Sequence, residues 1–298
     1  METTEFIWMD GNLVPWNEAK IHILSHSLHY GSAVFEGIRF YETEKGPAIF
    51  RLKEHVQRLF HSASVFNMKI PFSEQEIFDA IVDIVRVNNI KSGYIRPLIY
   101  FGYGKMGLGL EGAPVNVSIA CWPWGKYLGE HAIKVGTSKY MRIHPKSSIM
   151  TAKISGHYSN SILAGEEVKS RGFDEAILLD YQGNVAEGPG ENIFIVKSDT
   201  IFTPAIGSIL PGITRDSIIK LCQDLGYKVR EIPMKLENIY EADEAFFTGT
   251  AAEVTSIDSL DNKKLKGTGE TTNKIKQAFM DIVSGKNNKY SDWLTIVN

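Results

Sequence analysis

Lys153 lies in a stretch of small and polar residues, TAKISGHYSNS at positions 151–161, just before a predicted helix. The small side chains around this lysine would leave room for a bulky planar group against the backbone. A lysine amine in such a place can form an imine with an aldehyde. A single lysine is more often a solvated surface residue, so this interpretation requires a second chemical group.

Glu187 offers that second group. It lies among glycines in NVAEGPGENIFI (184–195), at the end of a predicted short strand. The alternative is a turn residue without chemical function. An imine-forming lysine and a carboxylate that keeps a pyridinium nitrogen protonated are the pair that a pyridoxal phosphate site requires. Lys153 and Glu187 therefore predict such a site, in which the released lysine amine would also carry the proton of the substrate Cα.

The phosphate of such a cofactor requires backbone amides at a helix start, hydroxyl groups and a fixed positive charge. Amides and hydroxyls occur at Gly212-Ile213-Thr214, which enters a predicted helix, and at Thr248-Gly249-Thr250-Ala251, which leaves a predicted strand. Arg58, beside the apolar stripe of another predicted helix, could supply the charge. Each feature has a structural alternative, since Gly-Thr turns are common and most surface arginines form ordinary ion pairs.

Other chemistries lack their residue patterns. The sequence contains no GxGxxG after a strand and no GxxxxGK[ST], so it does not support nucleotide binding. His22, His26 and His29 lie close together, but without cysteines or carboxylates in a metal-binding pattern. Capping or packing histidines are the better interpretation, and no metal site is predicted.

The composition of the 298-residue chain, with 43% hydrophobic and 22% charged residues, is typical of a globular protein of one large or two ordinary domains. A net charge of -3 argues against nucleic acid as the main partner. No signal peptide and no apolar run of membrane-spanning length is found. Cys121 and Cys222 lie in apolar contexts that predict buried free thiols. We therefore predict a cytoplasmic protein without nucleic-acid or membrane partners.

The hydrophobic pattern predicts mixed strands and helices along the chain. Phe6 to Trp16 is predicted as a hairpin, because Asp-Gly between apolar runs is a strong turn signal. Ala33 to Glu42 is predicted as one long strand, and Arg51 to Phe66 as a helix with one apolar face. A capping box from Ser73 to Glu76 predicts the start of the next helix. Residues 184–204 are predicted to form a hairpin-like pair.

Several segments together resemble the class IV, fold type IV pyridoxal-phosphate aminotransferases, and within them the branched-chain amino acid aminotransferases. They are SHSLHYGSAVFEGIR, Tyr94-Ile95-Arg96, PWGKYLG, Lys153, EGPGEN, LPGITRD and FFTGTAAE. The resemblance runs from the first hairpin to the last helix, and Tyr94-x-Arg96 favours the branched-chain branch. The two departures from the pattern are His157 and Pro189, where asparagine and a small residue are usual, and both bear on fine geometry only.

The resemblance implies an α+β fold with a small N-terminal α/β domain, assigned to residues 1–122, and a larger C-terminal pseudo-barrel domain that binds pyridoxal phosphate, assigned to 132–298. Residues 123–131, which include the aromatic and glycine-containing PWGKYLGE, are predicted as the interdomain linker. The resemblance also implies a homodimer or homohexamer with active sites at the dimer interface.

Roles carried over from the family fall into a cofactor set and a substrate set. In the first, Lys153 would form the Schiff base, Glu187 would pair with the ring nitrogen and Tyr158 would hydrogen-bond the phenolic oxygen. The phosphate would be held by Arg58, Ile213, Thr214 and Thr250. The substrate α-carboxylate would be bound by Tyr94 and the amides of Thr250 and Ala251. The side-chain pocket would be lined by Phe35, Trp124 and Tyr127, and from the neighbouring subunit by Tyr30, Met106 and Leu108.

The implied activity is reversible amino transfer from L-leucine, L-isoleucine or L-valine to 2-oxoglutarate, which gives the branched 2-oxo acid and L-glutamate. Alternatives with the same lysine and glutamate are a D-amino acid or (R)-amine transaminase and an aminodeoxychorismate lyase. A non-catalytic metabolite-binding protein is the remote alternative, and it conflicts with the complete set of site residues.

Arg96 prompts a separate hypothesis. A pocket that accepts leucine must also accept the second carboxylate of glutamate, which requires a cation. Residues two apart on a strand point the same way, so Arg96 and Tyr94 are expected on one face, with Arg96 as that cation. The alternative is that Arg96 braces its strand through neighbouring carboxylates.

Overall fold

The computed structural model describes residues 2–125, 127–129, 131–267 and 269–298. The strands in chain order are β1 (Phe6–Met9), β2 (Asn12–Pro15), β3 (Ala33–Phe35), β4 (Ile38–Thr43), β5 (Gly46–Phe50), β6 (Gly93–Phe101), β7 (Val115–Trp122), β8 (Ile133–Thr137), β9 (Glu175–Leu179), β10 (Val185–Glu187), β11 (Asn192–Lys197), β12 (Thr200–Pro204), β13 (Lys228–Ile232), β14 (Glu244–Gly249), β15 (Glu253–Leu260), β16 (Lys263–Lys264) and β17 (Leu294–Ile296). The α-helices are α1 (His26–Tyr30), α2 (Leu52–Ser64), α3 (Glu74–Val87), α4 (Tyr158–Lys169), α5 (Ile213–Asp224), α6 (Leu236–Tyr240) and α7 (Glu270–Val283). Short 3₁₀ helices cover Trp16–Glu18, Ser155–His157 and Asn288–Trp293.

The internal contacts divide the chain into two compact units. Unit 1 comprises Met1–Gly125, Ala152–His157 and Asp281–Asn298, and unit 2 comprises Lys126–Thr151 and Tyr158–Met280. This division differs from the three ranges predicted from the sequence, because two segments of the second half of the chain fold into unit 1. One of them carries Lys153.

Unit 1 is built on a sheet whose strand order, over the described residues, is β17-β5-β4-β6-β7-β1-β2, with β3 also paired to β6. Helices α2 and α3 bury their apolar faces in the core of this unit. The predicted first hairpin is confirmed as β1 and β2, whose turn residues Asp10 and Gly11 both have positive φ. The predicted capping box at Ser73 and Glu76 is also present.

The predicted long strand from Ala33 to Glu42 is wrong, because the structure breaks it into β3 and β4. Phe35 pairs with Leu98 and Ile38 pairs with Ile95 on the same neighbour, β6. Pro97 lies opposite the break and has no N–H to donate, so the ladder is interrupted there. Glu36 donates its own N–H to the Pro97 carbonyl at 3.0 Å. The break turns the Glu36 side chain into the core of unit 1, where it is fully buried.

Unit 2 contains the second sheet, whose order over the described residues is β10-β9-β8-β15-β14-β11-β12-β13, with β16 paired to β15. Helix α4 connects the parallel strands β8 and β9, and α5 connects the parallel strands β12 and β13. The hairpin predicted within 184–204 is formed by β11 and β12 only, since β10 pairs with β9 instead. Strand β10 thereby ends at an edge of the sheet with Glu187 as its last residue.

Cys121 and Cys222 are buried free cysteines, as predicted. Burial raises the pKa of each thiol to about 12, so neither is a reactive thiolate at neutral pH. No helix within the described ranges has the length and apolar content that crossing a membrane would require.

Candidate active site

Lys153 is fixed in unit 1 through its backbone. Its N–H donates to Ser62 Oγ on α2 at 2.9 Å, and its carbonyl accepts from the Phe35 N–H on β3 at 3.1 Å. The Nζ atom lies 5.1 Å from the centroid of the Phe35 ring. A half-buried amine is therefore held beside an aromatic ring by two elements of the same unit.

Gly156, three residues after Lys153, has a packing role that the sequence did not predict. It donates its N–H to the Gly31 carbonyl at 3.2 Å, and a Cβ on Gly31 would lie 2.9 Å from the Gly156 Cα. The small residues around Lys153 thus allow two backbone segments to approach each other closely. Room for a planar group against this backbone stays a prediction.

Unit 1 also contains a group of aromatic side chains from the predicted substrate set. The rings of Tyr94 and Trp124 meet edge to face with centroids 4.5 Å apart. The Arg96 guanidinium carbon lies 4.7 Å from the Phe35 ring centroid and 5.5 Å from that of Tyr94. Tyr94 and Arg96 share one face of β6, as their spacing predicted. Gly37 permits this arrangement, since any Cβ there would collide with the Tyr94 hydroxyl.

Arg96 has no ionic partner in the described part of the chain. Among the described residues, its guanidinium contacts the rings of Phe35 and Tyr94, and its buried Nε has no hydrogen-bond partner. A buried N–H without a partner costs free energy on the order of 1–3 kcal/mol. The carboxylates that would let Arg96 brace its strand are not among its described neighbours, so the described residues do not support that alternative.

The predicted phosphate cation, Arg58, is oriented by the buried carboxylate of Glu36. Arg58 Nε and Nη2 donate to the two carboxylate oxygens at 2.6 and 2.9 Å, and His55 Nδ1 donates to Oε2 at 2.8 Å. Burial alone would raise the pKa of Glu36. The Arg58 charge and the hydrogen bonds from Arg58 and His55 outweigh it, and hold the pKa of Glu36 far below its usual value.

Glu187 is a buried carboxylate of unit 2 that, like Glu36 in unit 1, pairs with an arginine. Its Oε1 accepts from Arg142 Nε at 2.7 Å, and its Oε2 accepts from Asn192 Nδ2 and from the Leu210 N–H, both at 3.1 Å. Charge-assisted bonds from three different segments fix the direction of the carboxylate. The end of β10 therefore presents a carboxylate whose direction is fixed.

The predicted phosphate amides of unit 2 lie at the start of α5. Gly212 is the N-cap without a side-chain cap, and Ile213 and Thr214 are buried in the first turn of this twelve-residue helix. Such a helix start carries N–H groups without intrahelical partners. A Cβ at Gly212 would collide with Asn192 Oδ1, so the glycine lets the helix start approach a residue that also contacts Glu187.

The second predicted phosphate segment follows β14. Gly249 ends the strand, and a Cβ there would meet the Gly190 carbonyl oxygen at 3.2 Å. Thr250 and Ala251 are half-buried in the turn that leads to β15. Thr248, at the end of this strand, has a buried hydroxyl without a hydrogen-bond partner in the described residues.

The structure distributes the predicted site residues over both units. Unit 1 contains Tyr30, Phe35, Arg58, Tyr94, Arg96, Met106, Leu108, Trp124 and Lys153. Unit 2 contains Tyr127, Tyr158, Glu187, Ile213, Thr214, Thr250 and Ala251. Contacts within unit 1 bring Phe35, Tyr94, Arg96, Trp124 and Lys153 together. Large exposed side chains are those of Tyr30, Met106, Leu108 and Tyr127.

Sequence reasoning missed the residues that orient the charged groups. Glu36 carried a signal, because a glutamate inside an apolar strand pattern must be paired if it is buried. Asn192 lay within the EGPGEN motif, but without an assigned role. Arg142 lies in an irregular segment between β8 and α4, and no local pattern in the sequence connects it with Glu187.

Comparison with known proteins agrees with these features. The family model for amino-transferase class IV matches residues 33–260. The branched-chain-amino-acid aminotransferase of Pseudomonas aeruginosa is 49% identical over 297 residues, which cover 98% of this chain and 97% of the relative. The enzyme of that name from Escherichia coli K12 is 44% identical, with coverage of 99% and 98%.

Solved structures show the same relationship. The T.th. branched-chain amino acid aminotransferase complexed with N-(5'-phosphopyridoxyl)-L-glutamate has a TM-score of 0.96 to this chain, at 45% identity and with complete coverage of both chains. The chain belongs to the class IV aminotransferase family. The predicted family and the predicted α+β fold class are therefore confirmed.

Proposed function

We propose that this protein is a pyridoxal-phosphate-dependent transaminase for branched-chain amino acids. It transfers the amino group of L-leucine, L-isoleucine or L-valine to 2-oxoglutarate, reversibly, and yields the branched 2-oxo acid and L-glutamate. Relatives that carry this activity in their names match the chain over nearly its full length. The observation that carries the proposal is Arg96, a cation without a carboxylate partner in the described residues, set against the aromatic rings of Phe35 and Tyr94.

The residues present fit a phosphorylated pyridine ring. Glu187 is an oriented carboxylate for a ring N–H, Lys153 an amine beside an aromatic ring, and Arg58 a cation whose direction is fixed. The first turn of α5 adds amides suited to a phosphate. When bound, the cofactor supplies a ring that accepts the electron pair left at the substrate Cα.

Lys153 and Glu187 have the central roles. Lys153 Nζ would hold the cofactor and, as a free amine, would move a proton to and from the substrate Cα. Glu187 keeps the ring nitrogen protonated, because an ionised carboxylate favours the positive charge beside it. The hydroxyl of Tyr158 binds the phenolic oxygen of the cofactor.

The remaining cofactor residues bind the phosphate. Arg58 provides the charge, and Ile213, Thr214 and Thr250 provide amides and hydroxyls. Glu36 maintains the direction of the Arg58 guanidinium through the bidentate pair in unit 1.

The substrate is bound by its carboxylate and its side chain. Tyr94, with the amides of Thr250 and Ala251, binds the α-carboxylate. Phe35, Trp124 and Tyr127 line the pocket for an apolar side chain. Arg96 binds the second carboxylate of 2-oxoglutarate and glutamate, which explains how one pocket accepts both leucine and glutamate.

The protein acts as a homodimer or homohexamer, in which Tyr30, Met106 and Leu108 complete the side-chain pocket of a neighbouring subunit. These side chains are 42%, 43% and 84% exposed in the single chain, and association would remove this apolar surface from water. The cytoplasmic location predicted from the sequence stays a prediction.

A panel of amino donors tests the proposed function. The purified protein is expected to be yellow, to bleach on addition of L-leucine and to regain its colour with 2-oxoglutarate. L-leucine, L-isoleucine and L-valine are compared with D-alanine and an (R)-amine, and release of the 2-oxo acid is measured. Bleaching by the D-amino acid or the (R)-amine alone would assign the protein to another branch of the family. Release of pyruvate without an acceptor would indicate a lyase.

The Arg96→Gln variant tests the dual-substrate pocket. A charge-assisted hydrogen bond is worth roughly 1.5–3 kcal/mol, so the half-reaction with 2-oxoglutarate is expected to slow about ten- to a hundredfold. The half-reaction with leucine makes no such bond and should change far less. Stopped-flow spectra of the two half-reactions, recorded separately, give both rates. Equal losses would mean that the second carboxylate is recognised elsewhere.

A further inference from the structure

Both backbone polar groups of Gly107 are bound by side chains of α1. Gly107 lies between Met106 and Leu108 in the loop that connects β6 and β7. His26 Nε2 lies 2.7 Å from the Gly107 carbonyl oxygen, and the Gly107 N–H donates to the Tyr30 hydroxyl at 3.3 Å. The φ of Gly107 is +92°, which favours glycine. Two side chains one helical turn apart thus hold the residue between the two exposed apolar side chains.

With a neutral imidazole, the hydrogen-bond network around His26 fits one arrangement of protons. A carbonyl oxygen only accepts, so His26 Nε2 donates to Gly107. His26 Nδ1 then accepts from Ser32 Oγ, which lies 2.7 Å away. The hydroxyl proton of Ser27 goes to the Ser32 carbonyl at 2.6 Å, and Ser27 Oγ accepts from the Phe101 N–H at 2.9 Å. The His26 ring is 1% exposed, so water does not compete for these bonds.

The same helix also anchors the base of the loop. The His26 N–H donates to the Gly102 carbonyl at 3.0 Å, and the Gly102 N–H donates to the Pro114 carbonyl at 2.8 Å. The His26 and Tyr30 rings pack together with centroids 4.5 Å apart. Because the base and Gly107 are bound to one short helix, the directions of Met106 and Leu108 are tied to the position of α1.

We propose that His26 is a positioning residue for substrate specificity. By holding Gly107 it sets the directions of Met106 and Leu108, and through them the shape of the side-chain pocket in the neighbouring subunit. This inference rests on the proposed function, which places those two side chains in that pocket. His26 thereby acts on the selectivity of a site that belongs to another chain.

Substitution of His26 by phenylalanine tests the proposal. His26→Phe keeps a ring against Tyr30 but loses the donor to Gly107. The ratio of kcat/KM for L-leucine to that for the small donor L-2-aminobutyrate is expected to fall about tenfold, equivalent to about 1.4 kcal/mol. His26→Gln retains an N–H donor and should recover most of the ratio. An unchanged ratio in His26→Phe would overturn the proposal.

His29→Phe is the matched control. His29 lies on the same helix with its ring 6.2 Å from that of Tyr30, but its Nε2 bonds to the Ile23 carbonyl at 2.9 Å instead of to Gly107. It should retain the wild-type ratio, and an equal fall in both variants would mean that any disturbance of α1 suffices. Hydrogen exchange of peptides covering 103–111 provides a readout without substrate. Exchange should accelerate in His26→Phe only. Unchanged exchange in that variant would contradict the proposal that His26 holds Gly107.

Hybrid dimers test whether the effect acts on the neighbouring subunit. In the first hybrid, one chain carries Lys153→Ala with His26→Phe and the other is wild type, so the one complete site is served by the altered loop. The ratio of kcat/KM for L-leucine to that for L-2-aminobutyrate should fall in this hybrid. In the second, one chain carries Lys153→Ala and the other His26→Phe, so the complete site is served by an intact loop and should show the wild-type ratio. The reverse pattern would overturn the action between subunits.

Failure of this inference can be distinguished from failure of the proposed function. Wild-type protein that neither bleaches with leucine nor releases a 2-oxo acid would refute the function, whatever His26 does. If the wild-type protein is active and His26→Phe has the same ratio of kcat/KM values for the two donors, only the role of His26 is refuted. Size-exclusion chromatography of each variant verifies that assembly is retained in these comparisons.

Discussion

In unit 1 the Glu36 carboxylate receives hydrogen bonds from Nε and Nη2 of Arg58, whereas in unit 2 the Glu187 carboxylate receives one from Nε of Arg142. Glu36 also accepts from His55 Nδ1 and the Gly37 N–H, and Glu187 also accepts from Asn192 and the Leu210 amide. All four charged side chains are nearly removed from water. The two pairs therefore bury the same two charges with different geometry.

This difference indicates which member of each pair is being oriented. A bidentate contact fixes the whole plane of the Arg58 guanidinium on one carboxylate. Arg142 makes one contact with Glu187, so the bonds from Asn192 and the Leu210 N–H are needed to fix the direction of that carboxylate. In each unit the oriented member is the one with a proposed role at the cofactor, Arg58 for the phosphate and Glu187 for the ring nitrogen.

The Lys153→Ala variant has the largest expected effect, because it removes the reacting amine and leaves both arginine–carboxylate pairs in place. Turnover should fall by at least about 10⁴-fold, the upper end for loss of a general base. The hydrogen bonds that define the two arginine–carboxylate pairs do not involve the Lys153 side chain, so the Tm should change little. Borohydride reduction and peptide mapping of the wild type should label Lys153. Label on another lysine would contradict the assignment.

The Glu187→Gln variant tests the pair in which the carboxylate is oriented. Glutamine can still bind a ring nitrogen, but it does not stabilise the positive charge there. The proton-transfer step should slow roughly 10²- to 10³-fold, as when one preorganised electrostatic partner is lost. Cofactor affinity should change much less. Single-turnover rates and cofactor titration measure the two effects, and wild-type single-turnover rates would identify Glu187 as a turn residue only.

The residues with proposed roles at the cofactor were easier to predict from the sequence than the residues that orient them. Lys153, Glu187 and Arg58 stand in local patterns that a reader of the sequence can recognise. Glu36 stood out as a glutamate in an apolar pattern, but its partner was not predictable, because Arg58 lies on a helix that follows another strand. Contacts between segments that are distant in sequence leave no local periodicity.

The fold shows the same limit. The first hairpin and the capping box of α3 depend on turn and cap residues, and both predictions were confirmed. The division into units was not predicted from local patterns, because 152–157 and 281–298 join unit 1 through contacts with distant segments. Phe35 and Ser62, which hold the backbone of Lys153, are examples of such contacts.

The Glu36→Gln variant tests the pair in which the arginine is oriented. Without the bidentate charged contact, Arg58 should bind the cofactor phosphate less well, and the cofactor dissociation constant should rise about ten- to a hundredfold. The Tm should also fall, because Arg58 loses its buried counter-charge. The control is Glu54→Gln, which removes a more exposed arginine partner at the start of α2. Equal affinity in Glu36→Gln and wild type would show that Glu36 only stabilises the core.

His55 gives the smallest effect, on the pH dependence of stability. Burial lowers the pKa of His55 below 6.5, Glu36 opposes this shift, and the charges of Arg58 and Lys153 reinforce it. Below about pH 6.5 the unfolded chain therefore binds more protons at His55 than the folded chain, so the free energy of unfolding decreases as the pH falls. Glutamine does not titrate, so His55→Gln should flatten the slope of unfolding free energy between about pH 5 and 6.5 by at most about 1.4 kcal/mol per pH unit. Urea unfolding at several pH values gives both slopes. Parallel curves would mean that folding does not change the protonation of His55, which would contradict the expected lowering of its pKa.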